Sequence, residues 1–105
     1  MFVVMNRFLV NPDYAEQFEA RIRNRPGQVD QQPGFIRAQL LRPDQPGEPY
    51  IVLTMWESKA EFEAWVKADT FTERHAGRRT LAPEVFLGPN QVETFDVILD
   101  TYITK

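Results

Sequence analysis

The sequence predicts an α+β fold of ferredoxin-like β-α-β-β-α-β plan, one antiparallel sheet with helices covering one face. Three observations carry that expectation. Phe2 to Val10 alternates as a strand. Segments opening at Asn11 and Ser58 carry helix-start signals followed by apolar residues at helical spacing. Phe35 to Arg42 and Tyr50 to Trp56 form a hairpin pattern around a proline-rich loop.

In the first strand Phe2, Val4, Asn6, Phe8 and Val10 share one face, and Val3, Met5, Arg7 and Leu9 share the other. Asn6 is thus a polar residue on an apolar face. A buried amide left unpaired costs roughly 1–3 kcal/mol, so Asn6 is either bonded to backbone or kept for a ligand. Asn11-Pro12 then supplies an N-cap and a first-turn proline, and Tyr14, Ala15, Phe18 and Ile22 recur as a core-facing stripe. Arg21 and Arg25 share a side of that helix, with Arg23 turned away. They form either a solvated face paired with Glu16 to Glu19 or a clamp for an acidic ligand. Pro26-Gly27 kinks or stops the helix, and Gln31 to Gly34 is a loop.

Pro43 to Pro49, with three prolines and a glycine, is an exposed loop between the second and third strands. Ser58 and Glu61 make a capping box that opens the helix carrying Phe62 and Trp65. His75, the only histidine, follows Trp65 by ten residues. On an unbroken helix that spacing is ~1000° and a rise of ~15 Å, so the two side chains would share no face. Ala68-Asp69-Thr70 reads as a helix end and an N-cap, with Phe71 opening a second helix. An elbow there would aim the indole and the imidazole at one pocket. By residue type alone, Trp65 reads as core or as site, and His75 among Arg74, Arg78 and Arg79 reads as surface or as ligand. Leu81 to Asn90 is expected to be a loop and Val92 to Ile103 the last strand.

Length and composition narrow the function classes. At 105 residues the chain makes one domain, residues 1–105, without repeat or linker. A hydrophobic content of 43% with a net charge of -3 belongs to a globular protein without the basic face that nucleic acid requires. No run of 18 apolar residues occurs, and MFVVMNRFLV lacks a charged n-region, so neither a membrane span nor a signal peptide is expected and the cytoplasm is the default location. Zero cysteines exclude disulfides, thiolate nucleophiles and iron–sulfur clusters, and a single histidine excludes a multi-histidine zinc site. Both faces of the first strand are apolar, yet the helices suffice for one. The other face is expected to pack on the sheet of a second copy, making a homodimer.

With these residues in place, the chain resembles the antibiotic-biosynthesis-monooxygenase (ABM) superfamily of dimeric α+β barrels, and within it the small heme-degrading monooxygenases. The likeness runs through MNRF around Asn6, RNRPG from Arg23 to Gly27, PGF from Pro33 to Phe35, and LTMWESKAEFEAW followed by FTERH. The resemblance implies a single ABM domain in which Asn6, Trp65 and His75 are catalytic. It implies that His75 is the axial ligand of heme iron, leaving an open position for O2. It further implies that Asn6 hydrogen-bonds on the oxygen side, that Trp65 presses the porphyrin out of plane, and that Arg21, Arg25, Arg74 or Arg78 pairs with propionates. Heme is then both substrate and cofactor, used with O2 and an external electron donor that a reductase would serve. Other members of the superfamily oxidise small aromatic or quinol-like substrates without a cofactor, and a non-catalytic heme binder is a third class.

Overall fold

The computed structural model describes residues 1–24, 29–67 and 83–102. In chain order they form strand β1 (Phe2–Phe8), a 3-10 turn (Pro12–Tyr14), helix α1 (Ala15–Arg23), a second 3-10 turn (Val29–Gln31), strands β2 (Phe35–Leu41) and β3 (Tyr50–Trp56), helix α2 (Lys59–Lys67), a third 3-10 turn (Pro83–Val85) and strand β4 (Gln91–Asp96). The four strands form one antiparallel sheet in the order β2-β3-β1-β4. Each helix therefore crosses over one intervening strand, which is the split βαβ arrangement of the ferredoxin-like fold. The expected fold class is the observed one.

Local chemistry sets the element ends. Asn11 caps the entry to the first helical segment, its Oδ1 accepting from Asp13 N at 3.1 Å, and Pro12 occupies the first turn. At α2, Ser58 stands just before the first helical residue, and its hydroxyl donates to the Glu61 carboxylate. The chain enters that helix past Gly34, whose φ of +82° is a conformation open to glycine. A Cβ on Gly34 would lie 2.2 Å from Glu61 Cγ, so the same glycine also permits the close approach of loop and helix.

Two apolar clusters fill the helix face of the sheet. One gathers Phe8, Val10, Phe18, Tyr50, Val52 and Val85 beneath α1, with Tyr14, Ala15 and Ile22 of the predicted stripe packed against it. The other gathers Phe2, Val4, Val29, Trp56 and Trp65 beneath α2. Aromatic edges knit each cluster: Phe18 meets Tyr50 at 5.1 Å between ring centroids, and Phe35 meets Trp56 at 5.6 Å. Trp56 is fully buried, and its indole N–H donates to Thr54 Oγ1 at 3.1 Å, which satisfies both polar groups.

The opposite face is open. Val3, Met5, Ile51, Leu53 and Met55 cover its centre, Leu41 and Phe95 lie exposed at its sides, and Arg7 pairs with Glu93 across β1 and β4. Two expectations change here. Among the described residues the last strand ends at Asp96, short of the expected Ile103, which lies outside them: Asp96 pairs with Phe2 at the very start of β1, and the Val97 N to Met1 O bond at 2.9 Å extends the ladder by one step. The segment before β4 is no plain loop. Val85 is fully buried, and bonds from Asn11 N to Val85 O (2.7 Å) and Leu87 N to Leu9 O (2.8 Å) lash it to the chain after β1. No helix among the described residues is long and apolar enough to cross a membrane.

Candidate active site

Asn6 marks the seam between the two clusters. Along the helix face of β1, Phe2 and Val4 belong to the cluster under α2 and Phe8 to the cluster under α1, with Asn6 between them. Its cross-strand neighbours are Val52 on β3 and Val92 on β4. The side chain is half-buried and finds a partner in another side chain, not in the backbone: Asn90 Nδ2 donates to Asn6 Oδ1 at 2.8 Å. Among the described residues nothing accepts from Asn6 Nδ2. The amide is thus satisfied on its oxygen and keeps two N–H donors without an acceptor among the described residues.

Trp65, on α2, is buried against Trp56 with ring centroids 5.6 Å apart and planes 30° from parallel, and Phe62 lies 6.5 Å away. It belongs to the core cluster, which also fixes the indole's attitude. Arg21, on α1, is half-buried, and its Nε is buried with no hydrogen-bond partner among the described residues. Such a donor left unmet costs roughly 1–3 kcal/mol. Asn6, Trp65 and Arg21 are therefore all carried by the helix side of the sheet. Arg25, Arg74, His75 and Arg78 lie outside the described residues, as does the elbow expected at Asp69 and Phe71.

The expected pairing of Arg21 with Glu16 to Glu19 gives way to a different network. Glu19 is only 8% exposed, and its carboxylate is gripped by Arg42, Nε to Oε2 at 2.8 Å and Nη2 to Oε1 at 2.6 Å. The Tyr50 hydroxyl donates to Oε2, and Arg23 stands 3.5 Å from Oε1. The hydrogen bond from Arg42, then that from Tyr50, holds the Glu19 carboxyl down at about 2 against an ordinary 4.5. Burial, followed by the bond to Glu19, pushes the Tyr50 phenol up. Glu19 is thereby withdrawn from Arg21. A signal for this was present: Ala15, Phe18, Glu19 and Ile22 follow the i, i+3, i+4, i+7 rule, which sets a carboxylate within the buried stripe and demands a cation. Asn90 left no such signal, since its approach to Asn6 depends on the register of β4.

Heme is a large apolar ring with two carboxylates, and the donors on this side of the sheet fit such a group. Asn6 Nδ2 has no acceptor among the described residues, and Asn6 stands between the two apolar clusters.

The comparisons agree with the fold and narrow the chemistry. The sequence profile described as antibiotic biosynthesis monooxygenase matches residues 1–77. A mycobilin-producing heme oxygenase of Mycobacterium tuberculosis is 38% identical over 98 residues, which cover 93% of this chain and 90% of that one. A heme-degrading monooxygenase of Shouchella clausii is 31% identical over 99 residues, 92% of this chain and 90% of its own. Among solved structures, the heme-degrader MhuD from Mycobacterium tuberculosis, with two hemes bound in its active site, superposes with a TM-score of 0.79 at 34% identity, covering 97% of this chain and 100% of that one.

Proposed function

The chain belongs to the antibiotic biosynthesis monooxygenase family, and from that premise we propose that it is a heme-degrading monooxygenase, binding heme through His75 and cleaving the porphyrin with O2 and an external electron donor to release iron. The observation that carries this reading is the Asn6 carboxamide, bonded on its oxygen by Asn90 and placed between two apolar clusters, in a chain related along nearly its whole length to heme degraders.

Bound heme supplies both the iron at which O2 is activated and the ring that is cut. The chain supplies the rest. His75 would hold the iron as a neutral imidazole. Asn6 would donate an N–H to the oxygen that reacts there, a bond that the neighbouring apolar clusters would strengthen. Trp65, packed on Trp56, would press on the ring and help to keep water out. Arg21, Arg25, Arg74 and Arg78 are the cations that would pair with the heme propionates. The protein acts as a homodimer through the open sheet face, in the cytoplasm, with a reductase as the class of partner that delivers electrons. Ile98 and Leu99, 95% and 81% exposed after β4, are further apolar surface for the second copy to cover.

Titration of the apo-protein with hemin tests the binding step. Wild type is expected to give a saturable Soret band with one heme per chain, and His75→Ala is expected to lose it. The end point also decides between one heme and the two that the mycobacterial relative holds. No saturable band overturns the assignment and favours a cofactor-free monooxygenase, and a band unchanged in His75→Ala overturns His75 as the ligand and favours a heme-binding module.

A further inference from the structure

The Asn6–Asn90 contact carries an inference about how the site is set. A carboxamide presents an acceptor oxygen on one branch and two donors on the other, and a half-turn about its last bond exchanges them with little change in shape. Which branch faces a ligand therefore depends on a neighbour. We propose that Asn90 is the positioning residue that orients the Asn6 carboxamide, taking its oxygen and so presenting its N–H donors at the seam; the inference rests on the heme-degrading reading for its consequence, but not for its geometry.

The placement of Asn90 favours that role. Val92 stands opposite Asn6 in the register of β4, so Asn90, two residues earlier, projects from the same face and reaches Asn6 on the diagonal. The backbone on either side is pinned. Leu87 N is bonded to Leu9 O before Asn90, and Gln91 pairs with Arg7 immediately after it. Asn90 Nδ2 consequently meets Asn6 Oδ1 at 2.8 Å from a fixed base, although its side chain is exposed. Turning the Asn6 amide over against Asn90 Nδ2 would set donor against donor. With the Asn90 amide in the orientation found here, the loss of that hydrogen bond corresponds to a bias of about fivefold toward the observed Asn6 orientation, whereas turning both amides together would keep the bond, and it is this alternative that the Asn90→Asp spectra separate. Asn90 touches no reacting group. Its action is through Asn6.

A near-isosteric exchange inverts the arrangement. In Asn90→Asp the neighbour has acceptors only, so Asn6 should turn its NH2 toward residue 90 and offer its carbonyl oxygen to the seam. Two readouts follow. In nitrogen–proton correlation spectra of the apo-protein, the Asn6 side-chain NH2 pair, identified by its disappearance in Asn6→Ala, is expected to move downfield in Asn90→Asp. In the heme complex, Asn90→Asp is expected to keep the Soret titration of wild type but to degrade heme about tenfold or more slowly, as Asn6→Ala does, with Asn90→Ala falling less. Gln91→Glu, which places the same charge next door on the opposite face, is expected to leave the rate unchanged. An Asn6 NH2 signal in the same place in wild type and Asn90→Asp means that Asn6 already donates to residue 90, and overturns the proposal. So does a wild-type degradation rate in Asn90→Asp. If wild type itself fails to degrade heme, the functional reading falls, and the apo spectra still decide the orientation.

Discussion

Glu19 on α1 and Arg42, just past the end of β2, are joined by two parallel hydrogen bonds, 2.8 Å and 2.6 Å long, that tie the helix to the sheet from beneath. The Tyr50 hydroxyl completes the grip from β3. Glu19→Gln keeps the shape and removes the charge. It is expected to lower stability by about 1–2 kcal/mol at neutral pH, the upper end being held down because the Arg42 side chain is 63% exposed and screened by water. The sign of the pH dependence follows from the depressed carboxyl, about 2 folded against 4.5 unfolded. Its contribution is complete above pH 4.5 and is lost as pH falls toward 2. Denaturant melts across that window should show the wild-type advantage over Glu19→Gln shrinking steadily; an advantage independent of pH would mean that the carboxylate does not stabilise α1 by its charge.

Gly34 and Gly47 separate conformational strain from crowding. Both have positive φ, +82° and +85°, but a Cβ at Gly34 meets Glu61 while one at Gly47 meets nothing within 4 Å. Gly47→Ala is therefore expected to cost about 1 kcal/mol, and Gly34→Ala roughly 2–4 kcal/mol. Thermal unfolding of the two variants checks the order. Equal losses would show that α2 yields freely at Glu61.

The open face of the sheet predicts its own partner. Leu53, half-buried at the centre with Met5 and Met55, is expected to lie in the interface between two copies. Leu53→Asp should convert a dimer in sedimentation to a 12.3 kDa monomer at micromolar concentration. A wild-type chain that sediments as a monomer under those conditions removes the dimer from the account.

The elements legible in the sequence were those fixed by near neighbours. The third strand, Tyr50–Trp56, is legible to the residue, because its run of apolar and β-branched residues is uninterrupted and turn residues bound it at Pro49 and Ser58. Asn11 and Ser58 announced their helices for the same local reason. What escaped depends on distant pairing. The short β4 is set by where β1 begins, the burial of Val85 by a backbone bond to Asn11, and the Glu19–Arg42 grip by two residues 23 apart in sequence. At the site, Asn6 stood out because a polar side chain broke an apolar column, whereas Asn90 became visible only once the strands were in register.

Turnover is the most direct test of the central claim, because binding alone does not separate an oxygenase from a heme carrier. The heme complex, given O2 and ascorbate with catalase present to remove free peroxide, should lose its Soret band and release iron. Asn6→Ala should bind heme almost as wild type does and degrade it about tenfold or more slowly, since the lost hydrogen bond is one made on the reaction path. Equal degradation rates for wild type and Asn6→Ala would contradict the account and leave Asn6 as a structural amide.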